Sequence, residues 1–241
     1  MEEYACMKAD RLKTGISLAS LKTAFVPALR VRFNILLVKI GIRHILPREA
    51  VNRIHIAECQ EELVRWRGEI VRSGVAARLN DAEKRLPEGY SIRLLEGWRG
   101  ETEQSAIRAA AKEAVLAQNP SLSGEALDRA IARFAAGESG HRTGGAVDVR
   151  LLFHGEPVPC GSEYLEFGPG TASFSRIAPE AARNRALLHR AMKGAGFANY
   201  PAEWWHFSYG DRLWAAYRGK RRAIYGATNL SAIALNMAGK I

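Results

Sequence analysis

Two short stretches in the C-terminal half of this chain constrain its fold most, because a hydrolytic site would need both. Residues 139–148 have the sequence SGHRTGGAVD, and residues 203–206 have the sequence EWWH. Together they offer two imidazoles, one short carboxylate and one spare glutamate. A catalytic zinc site uses three protein ligands, an open position for water and a nearby base. Neither stretch supplies such a site alone, so we expect a fold that joins the two.

The first stretch contributes His141 and Asp148. Imidazole suits zinc, and aspartate adds a compact anionic oxygen. Gly144, Gly145 and Ala146 are small, so the chain can turn tightly and return Asp148 to the side of His141. A metal ion would offset the cost of an unpaired carboxylate at the start of an apolar strand. The same pattern also fits an Asp148 that caps a turn beside an ordinary loop histidine.

The second stretch contributes Glu203 and His206. These two residues would share a face on a helix and point to opposite faces on a strand. The flanking aromatic residues favour extended structure, so convergence would require a bulge or a strand end. This geometry is acceptable if Glu203 is a general base, which needs only hydrogen-bond reach to its water. The alternative is a surface glutamate beside an aromatic core strand.

A serine nucleophile explains the same residues poorly. Ser139 and His141 stand two residues apart in a loop, a spacing that seldom gives an attack geometry. No Gly-x-Ser-x-Gly turn surrounds Ser139. We therefore discount a triad of Ser139, His141 and Asp148.

The chain is strongly basic, with 35 Lys and Arg residues against 25 Asp and Glu residues and a formal net charge of +10. This balance favours an anionic partner or serves solubility alone. No long Lys/Arg block occurs, and no arrangement of aromatic residues among basic ones suggests a stacking platform. Nucleic acid is therefore not expected as a partner.

The cysteines and the N-terminal region bear on location. Cys6, Cys59 and Cys160 are widely spaced and odd in number, which favours a reducing compartment over a disulfide framework. Charged residues interrupt the apolar stretch at 24–40, which argues against a signal peptide or a spanning helix. We therefore expect a cytoplasmic protein whose N-terminal extension could touch a membrane surface weakly.

Hydrophobic periodicity and turn residues predict an α+β fold, with a central, mainly antiparallel sheet flanked by helices. Strands are predicted at 90–98, at 146–153 and in the aromatic segment 197–209; helices are predicted at 73–86, at 101–117, after Ser123 and from Pro179 to about Gly194. Residues 1–46 are predicted to form a partly helical extension, and residues 47–241 a single domain.

The two stretches resemble the D-alanyl-D-alanine dipeptidases, a group within the zinc DD-peptidase and hedgehog-like superfamily that contains the vancomycin-resistance dipeptidase. The shared pattern is Ser-x-His-x-x-Gly-x-Ala-x-Asp followed by Glu-x-Trp-His. The resemblance extends from about residue 54 to residue 226. It includes LPEGY at 86–90, EGWR at 96–99, Gln104, NR at 184–185, GFANY at 196–200 and YGD at 209–211.

This resemblance implies a zinc-dependent D,D-dipeptidase of cell-wall peptides, with one zinc ion per chain and a small D-amino-acid peptide as substrate. His141, Asp148 and His206 would be the metal ligands. Glu203 would take a proton from the zinc-bound water and return it to the leaving amine.

The resemblance also assigns roles around the substrate. Arg99 would stabilise the oxyanion, which suits a fixed guanidinium aimed at developing negative charge. Ser139 would help to hold the substrate's C-terminal carboxylate. Around Arg99 the chain has Trp98 and Gly100 where the family usually has tyrosine and proline, changes that would loosen the loop and leave the chemistry.

A second departure concerns the substrate's amino terminus. Leu165 stands where the family has an aspartate that binds the substrate's ammonium group, and leucine cannot form that ion pair. Either Glu163 or Glu166 supplies the carboxylate from a neighbouring position, or no free amino terminus is required. A D,D- or L,D-carboxypeptidase that trims a longer cell-wall peptide is therefore an alternative, and a zinc-stabilised binding module without turnover is another.

Overall fold

The structure is a computed structural model that describes residues 45–46, 48–57, 61–135, 139–166 and 168–229. The chain divides into two compact units, Met1–Ala50 and Val51–Ile241. The predicted extension, its membrane contact, Cys6 and Cys59 lie outside the described residues, so these predictions and the proposed domain boundary stay predictions. Within the described ranges, no helix is both long and apolar enough to cross a membrane.

The described residues alternate short strands with helices in an irregular order. The elements in chain order are α1 (Arg48–Asn52), β1 (His55–Ile56), β2 (Leu63–Trp66), β3 (Glu69–Arg72), α2 (Ser73–Lys84), β4 (Tyr90–Glu96), α3 (Glu101–Gln118), α4 (Gly124–Phe134), a 3₁₀ turn (Gly140–Thr143), β5 (Ala146–Phe153), β6 (Glu156–Pro157), a second 3₁₀ turn (Pro169–Thr171), α5 (Pro179–Gly194), β7 (Ala198–Asn199), β8 (His206–Ser208), α6 (Arg212–Arg218) and β9 (Arg222–Ala223).

The central sheet has the strand order β4-β5-β8-β7, and β6 pairs with the far end of β5. Every pairing within this sheet is antiparallel. Two small pairs stand apart from it: an antiparallel hairpin of β2 and β3, and a parallel pair of β1 and β9. The prediction of an α+β fold with a mainly antiparallel sheet is confirmed.

Strand β5 is a central strand of this sheet, and both of its faces are covered. Its side chains alternate, so Val147, Val149 and Leu151 point together into the main hydrophobic core. Helices α2 and α5 bring Val75, Leu79, Leu188 and Met192 to the same core. The opposite face of β5 carries Asp148, and this is the face on which the polar site is built.

The predicted helices and the strand at 146–153 are present in the structure at nearly the expected bounds. Ser123 precedes α4 as expected, but its hydroxyl makes no capping hydrogen bond. The prediction for residues 197–209 is wrong in its middle: the segment forms two short strands, β7 and β8, joined by turns at 201–205. The two tryptophans of these turns are buried, so their apolar character reflects packing and not a continuous strand.

Candidate metal centre

The register of three neighbouring strands aligns three polar side chains in one row. Asp148 on β5 lies directly opposite Glu96 at the end of β4 and opposite His206 at the start of β8. Directly opposed residues on antiparallel strands have their Cβ atoms about 4.5–5.5 Å apart on the same face. The carboxylate of Asp148 is therefore flanked by an acid on one side and an imidazole on the other.

His141 reaches this row from the 3₁₀ turn that precedes β5. Gly144 ends the turn with φ +69°, a left-handed conformation that suits glycine. The ring Nδ1 of His141 lies 2.7 Å from the carbonyl oxygen of Gly97. If Nδ1 donates to this carbonyl, Nε2 keeps its lone pair and faces the carboxylate of Asp148, at 3.3 Å from Oδ1.

Glu203 lies in the turns between β7 and β8, and His206 is the first residue of β8. Glu203 and His206 therefore meet at a strand end, which is one of the two arrangements that their spacing in the sequence allowed. The Oε2 atom of Glu203 lies 3.8 Å from Nδ1 of His206. Both tryptophans between them are buried, and Trp204 donates its indole N–H to Ser162 at 3.0 Å. The aromatic pair thus anchors the turn that brings Glu203 beside the imidazole.

Three ligand atoms converge at the centre of the site. Nδ1 of His206 lies 3.0 Å from Oδ1 of Asp148 and 3.2 Å from Nε2 of His141. Two ligands of a tetrahedral zinc ion, each 2.0–2.1 Å from it, are roughly 3.3 Å apart. The triangle of two imidazole nitrogens and one carboxylate oxygen therefore has the dimensions and the donor chemistry that zinc needs. Among the described residues, only His141, Asp148 and His206 form such a group.

The electrostatics at this point favour a positive charge. Burial raises the pKa of Asp148, but the neighbouring His141 and His206 lower it more, so the pKa lies well below its ordinary value. Burial lowers the pKa of His141, but the carboxylate of Asp148 outweighs this effect and the net pKa is raised. An ionised carboxylate held between two imidazoles is thus ready to bind a cation.

Arg99 follows β4 and is buried beside the three converging side chains. Its Nε donates to Glu96 Oε1 at 2.5 Å, and Nη2 forms a close ion pair with the other oxygen of Glu96. Nη1 donates to Gln104 at 2.8 Å, and Nη2 lies 3.7 Å from Oδ2 of Asp148. The guanidinium is therefore fixed next to the ligand triangle by groups on β4 and α3.

Two residues of this site had no predicted role. Glu96 was part of the EGWR segment, and its spacing of three residues from Arg99 is the only sequence signal for the ion pair. The hydroxyl of Tyr164 donates to Glu96 at 2.7 Å and lies 3.1 Å from Oδ2 of Asp148. Burial raises the pKa of Tyr164, and the carboxylates of Asp148 and Glu96 raise it further. Tyr164 therefore keeps its proton and donates it to Glu96, with Asp148 as a second acceptor within reach.

The predicted substrate contacts lie at the margin of the site. Ser139 accepts a hydrogen bond from the backbone N–H of His141 at 3.3 Å, so its hydroxyl shapes the 3₁₀ turn. Glu163 is exposed and pairs with Arg150 at 2.6 Å, and Glu166 accepts the backbone N–H of Glu163. Both glutamates thus lie at exposed positions with other partners. The segment that carries them forms a turn, with Leu165 at φ +60°.

A cavity of about 580 Å³ adjoins the row of polar side chains. Glu96, Arg99, Tyr164 and Leu165 form one part of its wall. The remaining wall comes from the β2–β3 hairpin, the end of β4 and the start of α3: Arg65, Gly68, Glu69, Ile70, Leu95, Trp98, Gly100, Glu103 and Ile107. The volume falls within the range of pockets that enclose ligands larger than a dipeptide.

The part of the chain that contains this site matches a known protein family. The family model described as D-ala-D-ala dipeptidase matches residues 71–222, which is more than half of the chain. The D-alanyl-D-alanine dipeptidase of Synechocystis sp. is 39% identical over 88 residues, a match that covers 31% of this chain and 36% of that protein. The enzyme of the same name from Escherichia coli is 38% identical over 71 residues, covering 29% and 37%. Each match thus spans about a third of either protein.

Two solved structures are similar to this chain at low sequence identity. VanYB in complex with D-alanine-D-alanine is 18% identical, with a TM-score of 0.46 and coverage of 71% of this chain and 94% of that chain. A mutant of the vancomycin resistance D,D-pentapeptidase VanY in complex with Zn(II) is 18% identical, with a TM-score of 0.45 and coverage of 69% and 90%.

Proposed function

The chain belongs to the D-ala-D-ala dipeptidase family, and on this premise we propose that it hydrolyses D-alanyl-D-alanine with one zinc ion per chain. The observation that carries the proposal is the convergence of His141, Asp148 and His206 within hydrogen-bond distances of one another. Glu203 and Arg99 flank this group. The activity named for the relatives, the D-alanyl-D-alanine dipeptidases, supports the choice of substrate.

His141, Asp148 and His206 would hold the zinc through Nε2, Oδ1 and Nδ1. When bound, zinc polarises a carbonyl group and lowers the pKa of water towards ~7. Glu203 is buried and sits 3.8 Å from one ligand nitrogen. Its carboxylate would accept the proton released during attack on the amide and return it to the leaving amine, as a general base and then a general acid.

Arg99 would act on the charge that develops on the amide oxygen. Its guanidinium is held by Glu96 and Gln104 before substrate arrives. A preorganised cation loses little free energy to reorientation when negative charge appears, and in a buried site its effect is larger than in water. Nη2 of Arg99 lies 3.7 Å from Oδ2 of Asp148, so this positive group is at the edge of the triangle of ligand atoms.

A carboxypeptidase that trims a longer cell-wall peptide is the second candidate, and the cavity favours it. Leu165 presents an apolar side chain to a space of about 580 Å³ beside Arg99 and Tyr164. A substrate with an acylated or extended amino terminus would place apolar or neutral atoms there. Glu163 pairs with Arg150, and Glu166 accepts the backbone N–H of Glu163, so neither carboxylate is reserved for a substrate ammonium group.

The test measures metal content and amine release from the same preparations. Wild-type protein is expected to bind one zinc ion and to release D-alanine from D-alanyl-D-alanine. Glu203→Gln should keep the zinc and lose turnover at least a hundredfold, because it removes only the proton acceptor. His206→Ala should lose both zinc and turnover.

N-acetyl-D-alanyl-D-alanine and a pentapeptide ending in D-alanyl-D-alanine distinguish the two candidates. Cleavage of the dipeptide alone supports the dipeptidase, and faster cleavage of the blocked or longer peptide supports the carboxypeptidase. Full activity in Glu203→Gln would refute the mechanism. Zinc binding without cleavage of any of these peptides would instead identify a binding module.

A further inference from the structure

A chain of buried polar groups continues outward from His206 on the side away from the ligand triangle. Nδ1 of His206 faces Asp148 and His141, and Nε2 lies 3.4 Å from Oγ of Ser208. His206 and Ser208 are two residues apart on β8, so their side chains share a face. The hydroxyl of Ser208 donates to Oδ2 of Asp211 at 2.8 Å. Ser208 and Asp211 are almost completely buried.

Asp211 is fixed by two further contacts. Its Oδ1 accepts the backbone N–H of Trp214 at 2.7 Å, which makes Asp211 the N-cap of α6. Its other oxygen packs against the backbone of Gly140, where any added Cβ would collide with the carboxylate. Gly140 belongs to the 3₁₀ turn that carries His141. Asp211 thus contacts the segments that bear both histidines.

From this geometry we infer that Ser208 and Asp211 are positioning residues for the metal centre, which present Nδ1 of His206 to the zinc. Because Ser208 gives its own proton to Asp211, its oxygen is left to accept a hydrogen bond from Nε2–H. That bond selects the tautomer with a lone pair on Nδ1, the nitrogen that faces Asp148 and His141. In the same way, the backbone carbonyl of Gly97 would accept the Nδ1–H of His141 and leave the lone pair of that ring on Nε2.

The charge on Asp211 strengthens this arrangement. A carboxylate polarises the Ser208 hydroxyl, and a polarised hydroxyl is a better acceptor for the imidazole N–H. Outer partners of this kind orient a ligating histidine and increase its basicity, and their loss commonly lowers metal affinity 10–100-fold. The inference rests on the proposed zinc site, but it concerns metal affinity and not peptide specificity.

The experiment compares zinc dissociation constants, measured by competition with a chromophoric chelator, in wild type, Ser208→Ala and Asp211→Ser. Ser208→Ala removes the acceptor of Nε2–H and leaves the cap of α6 intact. Asp211→Ser keeps a residue type that caps helices well, but its short side chain does not reach Ser208. Both variants are expected to bind zinc 10–100-fold more weakly. The visible absorption of the cobalt-substituted protein should change in both, because the orientation of His206 changes.

Tyr225→Phe is the matched control. It removes another buried hydroxyl that donates to a carboxylate, that of Glu61 at 2.5 Å, and Tyr225 is not one of the three converging ligands. The control should lower the melting temperature of the metal-free protein and leave zinc affinity unchanged. A zinc affinity within twofold of wild type in both test variants would overturn the inference, as would an equal loss in Tyr225→Phe. A wild-type protein that binds no zinc would overturn the proposed function as well.

Discussion

At the scale of single residues, Glu96 has the most varied set of contacts in the site. One side chain binds Arg99 through both oxygens, accepts the hydroxyl of Tyr164 and lies opposite Asp148 across the strand pair. Burial raises its pKa, but the hydrogen bond from Arg99 and the charges of His141 and Arg99 together lower it more, and the net pKa is below its ordinary value. Glu96 is therefore ionised at neutral pH and holds the guanidinium in place.

Glu96→Gln is expected to reduce kcat about tenfold, which corresponds to ~1.4 kcal/mol of transition-state stabilisation. The amide keeps one acceptor oxygen for Arg99 but loses the charge and the second acceptor. Zinc affinity should change little, because Glu96 is not one of the three converging ligands. Steady-state kinetics and a chelator titration on the same samples provide the measurement.

The Arg67–Glu83 pair supplies a control for this prediction. It has the same two-pronged geometry, with distances of 2.7 and 2.6 Å, but lies near the surface. Glu83→Gln should leave kcat near the wild-type value. An equal reduction in both variants would mean that Glu96 contributes only to general stability.

At the scale of elements, one arginine of α5 fixes the segment that carries Tyr164. Arg185 is buried and donates to three backbone carbonyls, of Cys160 at 2.5 Å, Gly170 at 2.6 Å and Ala172 at 2.8 Å. Burial lowers its pKa to about 10, so it remains charged at neutral pH. The described residues of the segment 160–172 form no strand. Arg185 therefore supplies hydrogen-bond donors that the carbonyl groups of this segment would otherwise lack.

Replacing Arg185 with methionine should lower the free energy of unfolding by about 3 kcal/mol, because one buried and two partly buried backbone carbonyls lose their donor. It should also reduce kcat, since Tyr164 would no longer be held against Glu96 and Asp148. Urea denaturation and kinetic assays measure the two effects. Arg183→Met, at an exposed position of the same helix, should change stability by less than about 0.5 kcal/mol. Similar losses in both variants would contradict the role given to Arg185.

These contacts show which parts of the structure could be predicted from the sequence and which could not. Helices α2 and α5 and strand β5 could be predicted because their apolar residues recur with the period of the element. The turn at 201–205 could not, since buried tryptophans have the local preference of a strand and only their packing places them in a turn. The role of Tyr164 was also hidden, because it depends on a turn that Arg185 stabilises from elsewhere in the sequence.

At the scale of the whole molecule, the metal centre joins parts of the chain that are distant in sequence. Residues 139–148 and 203–206 meet only through the register of β5 with β8. A zinc ion bound by both would stabilise the folded state alone, by about 4 kcal/mol at a free zinc concentration a thousand times Kd. The unfolded chain lacks the assembled site.

Chelation of the zinc should therefore lower Tm by about 8–16 °C, since 1 kcal/mol corresponds to about 2–4 °C in a chain of this size. Differential scanning calorimetry with and without a chelator measures the shift. Glu203→Gln should show the same shift as wild type, because Glu203 is not a ligand in the proposal. His206→Ala should show none, and a full shift in that variant would exclude His206 from the zinc site.

The hairpin formed by helices α3 and α4 determines which part of this protein unfolds locally first. Its buried apolar residues, Ala111, Ile131 and Ala135, form a small cluster separate from the main core. Local unfolding reaches such weakly packed units first, so amide hydrogens of the hairpin should exchange with deuterated solvent sooner than those of β5. Gln104 belongs to α3 and holds Arg99. Each brief opening would thus release the guanidinium from one of its partners, leaving an intact sheet in which Glu96 alone fixes the orientation of Arg99.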